Sequence, residues 1–316
     1  MTATDLFSAA AFGGSGWCPR VTSLRQELGR IWRTCGVTDE WSVLQDVLLH
    51  RPGDELRVAD PDQAQMMASL SLDLAQSQHD ALKDALEEAG VGVHYVEPCD
   101  PVPPNLMFVA DLLFMTPEGA IVGRPASVVR AGEERFVARR LAELGIPILR
   151  CVRGRGTFEG ADAAWLDSKT VLLATGLRTN AEGAEQVASL LREMDVLVIE
   201  VGLPYGAMHL MGQLRFADRD LALAWPGRVP HAAVDVLRDR GFQVLFVPDE
   251  EEATQGMALN FVTLAPRSIL MPAGNPVSQS YYESAGISCL TLEVDELTKA
   301  AGGIGCLTGV LRRDAG

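Results

Sequence analysis

The chain has 316 residues, 47% of them hydrophobic and 22% charged, with a formal net charge of −15 at pH 7. That apolar share can bury a large core and excludes a disordered chain. The acidic balance excludes binding to phosphate backbones or anionic lipid through clustered Lys and Arg, and favours a small cationic ligand.

The opening stretch, MTATDLFSAAAFGGSGWCPR, has no basic residue ahead of its apolar part, unlike a secretory signal, and no later run is long enough for a membrane span. The cytoplasm is therefore the expected location, with no nucleic-acid or membrane partner. Residues 1–40 stand apart from the rest of the chain and are set down as an N-terminal extension to a single catalytic domain, 41–316. Within the extension, TSLRQELGRIWRTCG predicts a capped helix ending at Gly36, and the segment reads as a lid, a contact surface or a packing extension.

From there one order of elements returns: a strand, a second strand, an amphipathic helix and a third strand. The first copy is the weakest, with SVLQDVLLHRP, QSQHDALKDALEEAG and VGVHYVEP. The second has NLMFVADLLFMTPEGAIVGRP, EERFVARRLAELG and IPILRC. The third is the clearest: AWLDSKTVLLAT, then NAEGAEQVASLLREM with Val187, Leu190 and Leu191 at helical spacing, then VLVIEV. The fourth is GQLRFADRDLALAWP, HAAVDVLRDRG and FQVLFVP, and the fifth is ALNFVTLAPRSILMPA, PVSQSYYESAG and ISCLTLEV. Asp167-Ser168, Pro226-Gly227 and Pro266-Arg267 supply turn residues. A strand-strand hairpin in every unit disfavours an all-parallel doubly wound sheet. Five such units, none able to bury both faces alone, would close into a ring with strands inside, helices outside and loops around an axial pit.

The six cysteines, Cys18, Cys35, Cys99, Cys151, Cys289 and Cys306, lie far apart without a C-x-x-C pair, and are expected to be reduced and mostly buried. No zinc, nucleotide-phosphate or dinucleotide motif occurs, so neither a metal nor a cofactor is expected. Polar residues break the apolar pattern at unit boundaries: Asp111 inside LMFVADLLFM, Glu159 and Asp162 in TFEGADAAW, His209 after PYGAM, and Cys306 in AGGIGCLTGV. Singly, each has a plain structural reading. Asp111 could satisfy strand-end N–H groups, Asp162 could cap a turn, His209 could be a bonded core histidine, and Cys306 could be a small buried hydrophobe. His50, His79, His94 and His231 read as surface or helix residues. Jointly, the ring brings the boundary residues to one axis. A guanidinium held by Asp111 and Glu159 would present its carbon to Cys306, while His209 would protonate the departing amine and then activate water.

The segments NLMFVADLLFMTPEGAIVGRPASVVRAGEE, FEGAD, LRTNAEGAEQV, MHL, ILMPAGNP and GGIGCLTGVLRR resemble, in this order, the pentein-fold guanidine-modifying enzymes. The likeness spans residues 43–313 and is to dimethylarginine dimethylaminohydrolases first, then to arginine deiminases and amidinotransferases. It implies a fivefold pseudosymmetric α/β propeller of ββαβ units around a central active-site pit. It also implies Cys306 as nucleophile, His209 as general acid and base, Asp111 and Glu159 as guanidinium ligands, and Asp162 as the group that orients His209. Arg130 and Arg178 match positions that hold the α-carboxylate of a free amino acid. Three positions depart from the family's pattern: Ala110 before Asp111, Asn105 in place of an acid, and Met211 after His-Leu. Gly305 also replaces the usual polar residue before Cys306. These departures imply a substrate less basic or bulkier than arginine, such as an N-substituted guanidine or a ureido compound.

The expected activity is a hydrolase releasing an amine or ammonia and leaving a citrulline-like urea. An amidinotransferase would share the Cys306 intermediate but pass it to an amine. A catalytically silent propeller serving as a binding or assembly module is the third reading, and a homodimer stays open as the assembly.

Overall fold

In the computed structural model, which describes residues 17–57 and 60–314, the strands pair in five three-stranded sheets. The first blade holds β1 (Leu44–Leu49), α1 (Leu72–Glu88) and β2 (Gly92–Tyr95). The second holds β3 (Leu113–Thr116), β4 (Gly119–Val122), α2 (Glu134–Glu143) and β5 (Ile148–Cys151). The third runs β6 (Ala163–Asp167), β7 (Thr170–Thr175), α3 (Ala181–Glu193) and β8 (Leu197–Gly202). The fourth runs β9 (Leu214–Asp218), β10 (Leu221–Ala224), α4 (His231–Asp239) and β11 (Gln243–Phe246). The fifth is β12 (Val262–Ala265), β13 (Ser268–Pro272), α5 (Pro276–Ser284) and β14 (Ser288–Leu292), after which β15 (Gly309–Arg313) returns to the first blade.

Every blade has an antiparallel pair followed by a parallel one whose crossover is the helix. This is the pseudosymmetric ββαβ propeller. The weak first copy in the sequence is explained by β15, which pairs with β1 from the far end of the chain and closes the ring.

The middle strands show why the ring must close. Successive side chains of a strand point to opposite faces, so a strand apolar at every position needs cover on both. On β7, Val171 and Leu173 enter one core cluster while Leu172 and Ala174 enter the next. On β10, Ala222 and Ala224 share that second cluster with β7, and Leu221 and Leu223 enter a third. Ile269 and Met271 of β13 join the third cluster, and Leu270 joins a fourth with Leu44 and Val47 of β1. Each cluster is thus mortar between neighbouring blades.

The helices cover the outside. Asn180 caps α3 by accepting from Gly183 N at 2.8 Å, and Ala184, Val187, Ala188 and Leu191 turn inward. Of the hairpin turns, Ser168-Lys169 and Pro266-Arg267 lie where the sequence put turn residues, but Pro226-Gly227 falls in the β10–α4 connection, and Arg219 and Asp220 make the fourth hairpin.

The N-terminal helix is shorter than its periodicity implies. Ser23 and Gln26 form a capping box, yet the helix is only Leu24–Glu27. Gly29, at φ +77°, turns the chain away, and Gly29 N donates to Trp32 O at 2.8 Å. Residues 33–40 then run along the ring: Gly36 N donates to Leu311 O and Arg313 N to Gly36 O. Glu40 Oε1 accepts from Trp165 N at 3.0 Å. The part of the expected extension in residues 1–16 lies outside the described residues.

Three of the cysteines expected inside, Cys18, Cys99 and Cys151, are exposed; Cys35 is buried, and Cys35, Cys99, Cys151, Cys289 and Cys306 are free thiols. His79 is fully buried on the inner face of α1, and His50 is buried beside Glu55 at 3.2 Å. The apolar neighbours Ala75 and Leu82 carry His79 inward with the helix face. Among the described residues, no helix is long and apolar enough to cross a membrane.

Candidate active site

A short turn leads into the first strand of every blade. These are Val109–Asp111 before β3, Gly160–Asp162 before β6, Leu210–Gly212 before β9 and Ile304–Leu307 before β15. The turn before β12 is closed by Asn260 N donating to Met257 O at 2.8 Å. The turns pack closely: a Cβ on Gly160 would stand 2.1 Å from Leu113 O and 2.6 Å from Ala110 O, so only glycine fits. Asp111, Glu159, His209 and Cys306 sit at or beside these turns, and for that reason residues up to 195 positions apart meet.

They surround a small pocket whose walls include Asn105, Asp111, Arg130, Arg178, His209 and Cys306. Of the residues singled out in the sequence, these six line the space itself. Glu159 lies directly behind, fully buried, with Oε2 2.6 Å from His209 Nε2 and Oε1 accepting from Ala126 N at 3.0 Å. Asp162 meets no ring atom of His209. Its Oδ1 accepts from Leu210 N at 3.0 Å and its Oδ2 from Thr179 Oγ1 at 2.7 Å, so it fixes the backbone that follows His209.

Met211 departs from expectation. It borders two axial cavities shared with Glu40 rather than the Cys306 pocket, because the Leu210–Gly212 turn points its second residue down the axis. Arg130 is not free for an incoming carboxylate either. It is buried, with Nη1 2.6 Å from Asp111 Oδ2 and 3.5 Å from Glu159 Oε2, Nη2 2.8 Å from Glu133 Oε2, and Nη2 donating to Phe108 O. Arg178 has Nη1 3.6 Å from Glu159 Oε1, and its Nε and Nη1 make no hydrogen bond.

The electrostatics follow from this packing. Burial alone would lower the His209 pKa, but the carboxylates of Asp111, Glu159 and Asp162 outweigh it and hold the imidazolium to about 9. Burial would raise Glu159, and the His209 hydrogen bond with the nearby charges of His209, Arg130 and Arg178 brings it down to about 2. The two form an ion pair. Burial pushes Asp162 up to about 6 despite His209 and Thr179, and pushes Glu133 up to about 7 despite Arg130. The Cys306 thiol is raised by burial and by the Asp111 carboxylate, against Asn260, the Gly303 backbone and Arg215.

Donor atoms of Asp111, Glu159 and His209 lie within 4.8 Å of one another, a spacing a small metal ion could use. The chemistry of the set argues otherwise. A doubly protonated imidazole has no lone pair to offer, and Arg130 already supplies a positive charge to Asp111 at 2.6 Å.

Sequence reading missed Glu133, Thr179 and Asn260. Glu133 carried a signal in VRAGEE, where Arg130 and Glu133 are one helical turn apart. Asn260 carried a positional one, since it precedes the first strand of its unit as Asp111 and Asp162 precede theirs.

The family model described as arginine deiminase matches residues 228–313. A dimethylarginine dimethylaminohydrolase of Pseudomonas aeruginosa is 26% identical over 234 residues, covering 74% of this chain and 87% of the relative. The crystal structure of a dimethylarginine dimethylaminohydrolase adduct with 4-chloro-2-hydroxymethylpyridine superposes with a TM-score of 0.71 at 24% identity, over 86% of this chain and all of that one. SxtG, an amidinotransferase from Microseira wollei, superposes with a TM-score of 0.69 at 15% identity, over 89% of this chain and 98% of that one.

Proposed function

We propose that the chain, which is similar to the guanidine-modifying enzymes of the pentein superfamily, is a hydrolase acting on a C–N bond of a guanidino amino acid. The observation that carries the proposal is the meeting of Cys306, His209 and Asp111 around one pocket, with Glu159 bonded behind His209.

The residues suit the reaction step by step. A flat, cationic head entering the pocket offers N–H donors to Asp111 Oδ1, a buried acceptor that lacks a hydrogen bond and lies 3.7 Å from His209 Nδ1. Its positive charge favours the thiolate of Cys306, which attacks the central carbon. The electron pair of the C=N bond moves to nitrogen and gives a tetrahedral adduct. Glu159 occupies His209 Nε2, so Nδ1, without a hydrogen bond and 3.7 Å from Asp111 Oδ1, is the nitrogen left to hand a proton to the leaving amine. The C–N bond breaks, the amine departs and an amidino thioester-like intermediate remains on Cys306. The same nitrogen, now without its proton, takes one from water as the hydroxyl adds to the carbon. Collapse of that second adduct breaks the C–S bond and returns the thiolate, and the hydroxyl proton passes to the released amine or solvent to leave a urea product.

Asn105 supports a substituted or less basic head. It is buried, gives its amide N–H to Ala64 O at 2.7 Å, and brings no charge to the pocket wall. Arg130, already bonded to Asp111, weakens the pull on a fully charged guanidinium further. Arg178, with unmet donors at the wall, is the residue suited to an α-carboxylate.

Intact-protein mass spectrometry after exposure to a panel of guanidino and ureido amino acids tests the proposal. A mass adduct on Cys306, lost in Cys306→Ser, with amine or ammonia release, is the expected result. A panel that leaves neither adduct nor product overturns it. Formation of a new guanidine when candidate amines are supplied would assign an amidinotransferase instead.

A further inference from the structure

The turn that carries Cys306 is seated on the turn before β12. Asn260 closes the turn before β12 and contacts the Cys306 turn at three points: its backbone O accepts from Gly305 N at 3.1 Å, its Oδ1 accepts from Cys306 N at 3.1 Å, and its Nδ2 donates to Cys306 Sγ at 3.0 Å. The space is tight enough to dictate the neighbouring residue. A Cβ on Gly305 would stand 3.0 Å from both Asn260 Oδ1 and Phe261 O.

Arg215, from the adjacent blade, completes the seat. Its Nη2 donates to Phe261 O, one residue beyond Asn260, and its guanidinium lies over the Phe261 ring at 5.3 Å. The same Nη2 would be 3.5 Å from a Cβ at Gly305, so a positive charge packs immediately under the turn that carries the sulfur.

We propose that Asn260 is a catalytic residue, donating to Sγ to stabilise and aim the Cys306 thiolate, and that Arg215 positions Asn260 and backs the thiolate with its charge. The inference rests on the reading of Cys306 as nucleophile. A thiolate accepts hydrogen bonds far better than a thiol, so a donor fixed at 3.0 Å favours ionisation as well as orientation. Asp111 and the burial of the sulfur oppose ionisation, while Arg215 from β9 and His209, Arg130 and Arg178 around the pocket favour it. Before substrate brings its own charge, the Asn260 amide and the Gly303 backbone are neutral groups that favour the thiolate, and the Asn260 amide cannot turn over without losing the Oδ1 contact to Cys306 N.

The test is the pH dependence of Cys306 alkylation by iodoacetamide in the full chain, read on the Cys306 peptide by mass spectrometry because Cys18, Cys99 and Cys151 are exposed and will also react. Asn260→Ala should move the alkylation midpoint up by about one pH unit and slow reaction at pH 7 roughly tenfold. Asn260→Ser, which keeps a short polar group, serves if the alanine variant does not fold, and should shift the midpoint in the same direction. Arg215→Gln should raise it too. Midpoints in folded Asn260→Ser and Arg215→Gln that coincide with the native value would overturn the proposal. This readout needs no turnover. A native protein that processes no guanidino compound would sink the functional reading and still leave the role of Asn260 decided by alkylation.

Discussion

His209 Nε2 and Glu159 Oε2 lie 2.6 Å apart, both buried, as an imidazolium and a carboxylate. With His209 raised to about 9 and Glu159 lowered to about 2, the pair survives the whole range between. The direction of the stability effect is set by these shifts. The His209 contribution is complete below its unfolded pKa of about 6.5 and is lost as pH rises through about 9. The Glu159 contribution is present above its unfolded pKa of about 4.3 and is lost as pH falls through about 2. The melting temperature of the native protein minus that of His209→Asn should therefore shrink between about pH 6.5 and pH 10. A difference that stays constant across that window would contradict the ion pair.

Activity should report the same proton from the other side. In the proposed reaction the general acid is the His209 imidazolium, so turnover requires it protonated, while attack requires the Cys306 thiolate, whose ionisation burial and Asp111 displace upward. On the proposed mechanism, kcat/KM rises through neutral pH and turns over near pH 9. Glu159→Gln removes the carboxylate that sustains the imidazolium. It should lower the alkaline midpoint toward the ordinary histidine value and reduce kcat about a hundredfold or more. A pH–rate profile of both proteins measures this.

The two arginines of the pocket should separate cleanly. Arg130 balances Asp111, Glu133 and Glu159, and Arg130→Met would leave three buried carboxylates without their shared cation, at a cost of about 3–5 kcal/mol in stability. Arg178 has one long contact at 3.6 Å and two unmet donors. Arg178→Gln should leave the melting temperature nearly unchanged and raise KM for substrates with an α-carboxylate, with little effect on a decarboxylated analogue. Equal losses on both substrates would remove Arg178 from carboxylate recognition.

How much of this the sequence disclosed depended on how local each signal was. β7 and β10 are continuous apolar runs beside clear helices, and their units are readable without any partner. The first blade is not, because β15 is separated from β1 by almost the whole chain and GVLRR has no hairpin to announce it. Asp111, Glu159, His209 and Cys306 stand out because a charged or reactive group interrupts an apolar pattern. Asn260 interrupts nothing notable, and its value lies wholly in the three contacts it makes across the fold. Met211 shows the converse limit: adjacency to His209 in sequence does not decide which way a one-turn helix aims it.

The spacing of the turns rests on Gly160, which lies between Glu159 and Asp162 and fits against the carbonyls of Ala110 and Leu113, on either side of Asp111. Those atoms are backbone on both sides, so they cannot swing aside as a long side chain would. Gly160→Ala must push the Gly160–Asp162 turn and the Val109–Asp111 turn apart, carrying Glu159 away from His209 and altering the reach of Asp111. Overpacking of this kind costs about 1–3 kcal/mol, measurable by denaturant unfolding. If the turns set the chemistry, kcat should fall by far more than the stability loss alone would bring, in protein shown to be folded at the assay temperature. A control at Gly90, where an added Cβ meets nothing within 4 Å, has the same left-handed backbone cost as any such glycine, at φ +83°, but no route to the pocket. Gly90→Ala should therefore lower the melting temperature and leave kcat intact, and a Gly160→Ala enzyme with native kcat would show that the turns tolerate separation.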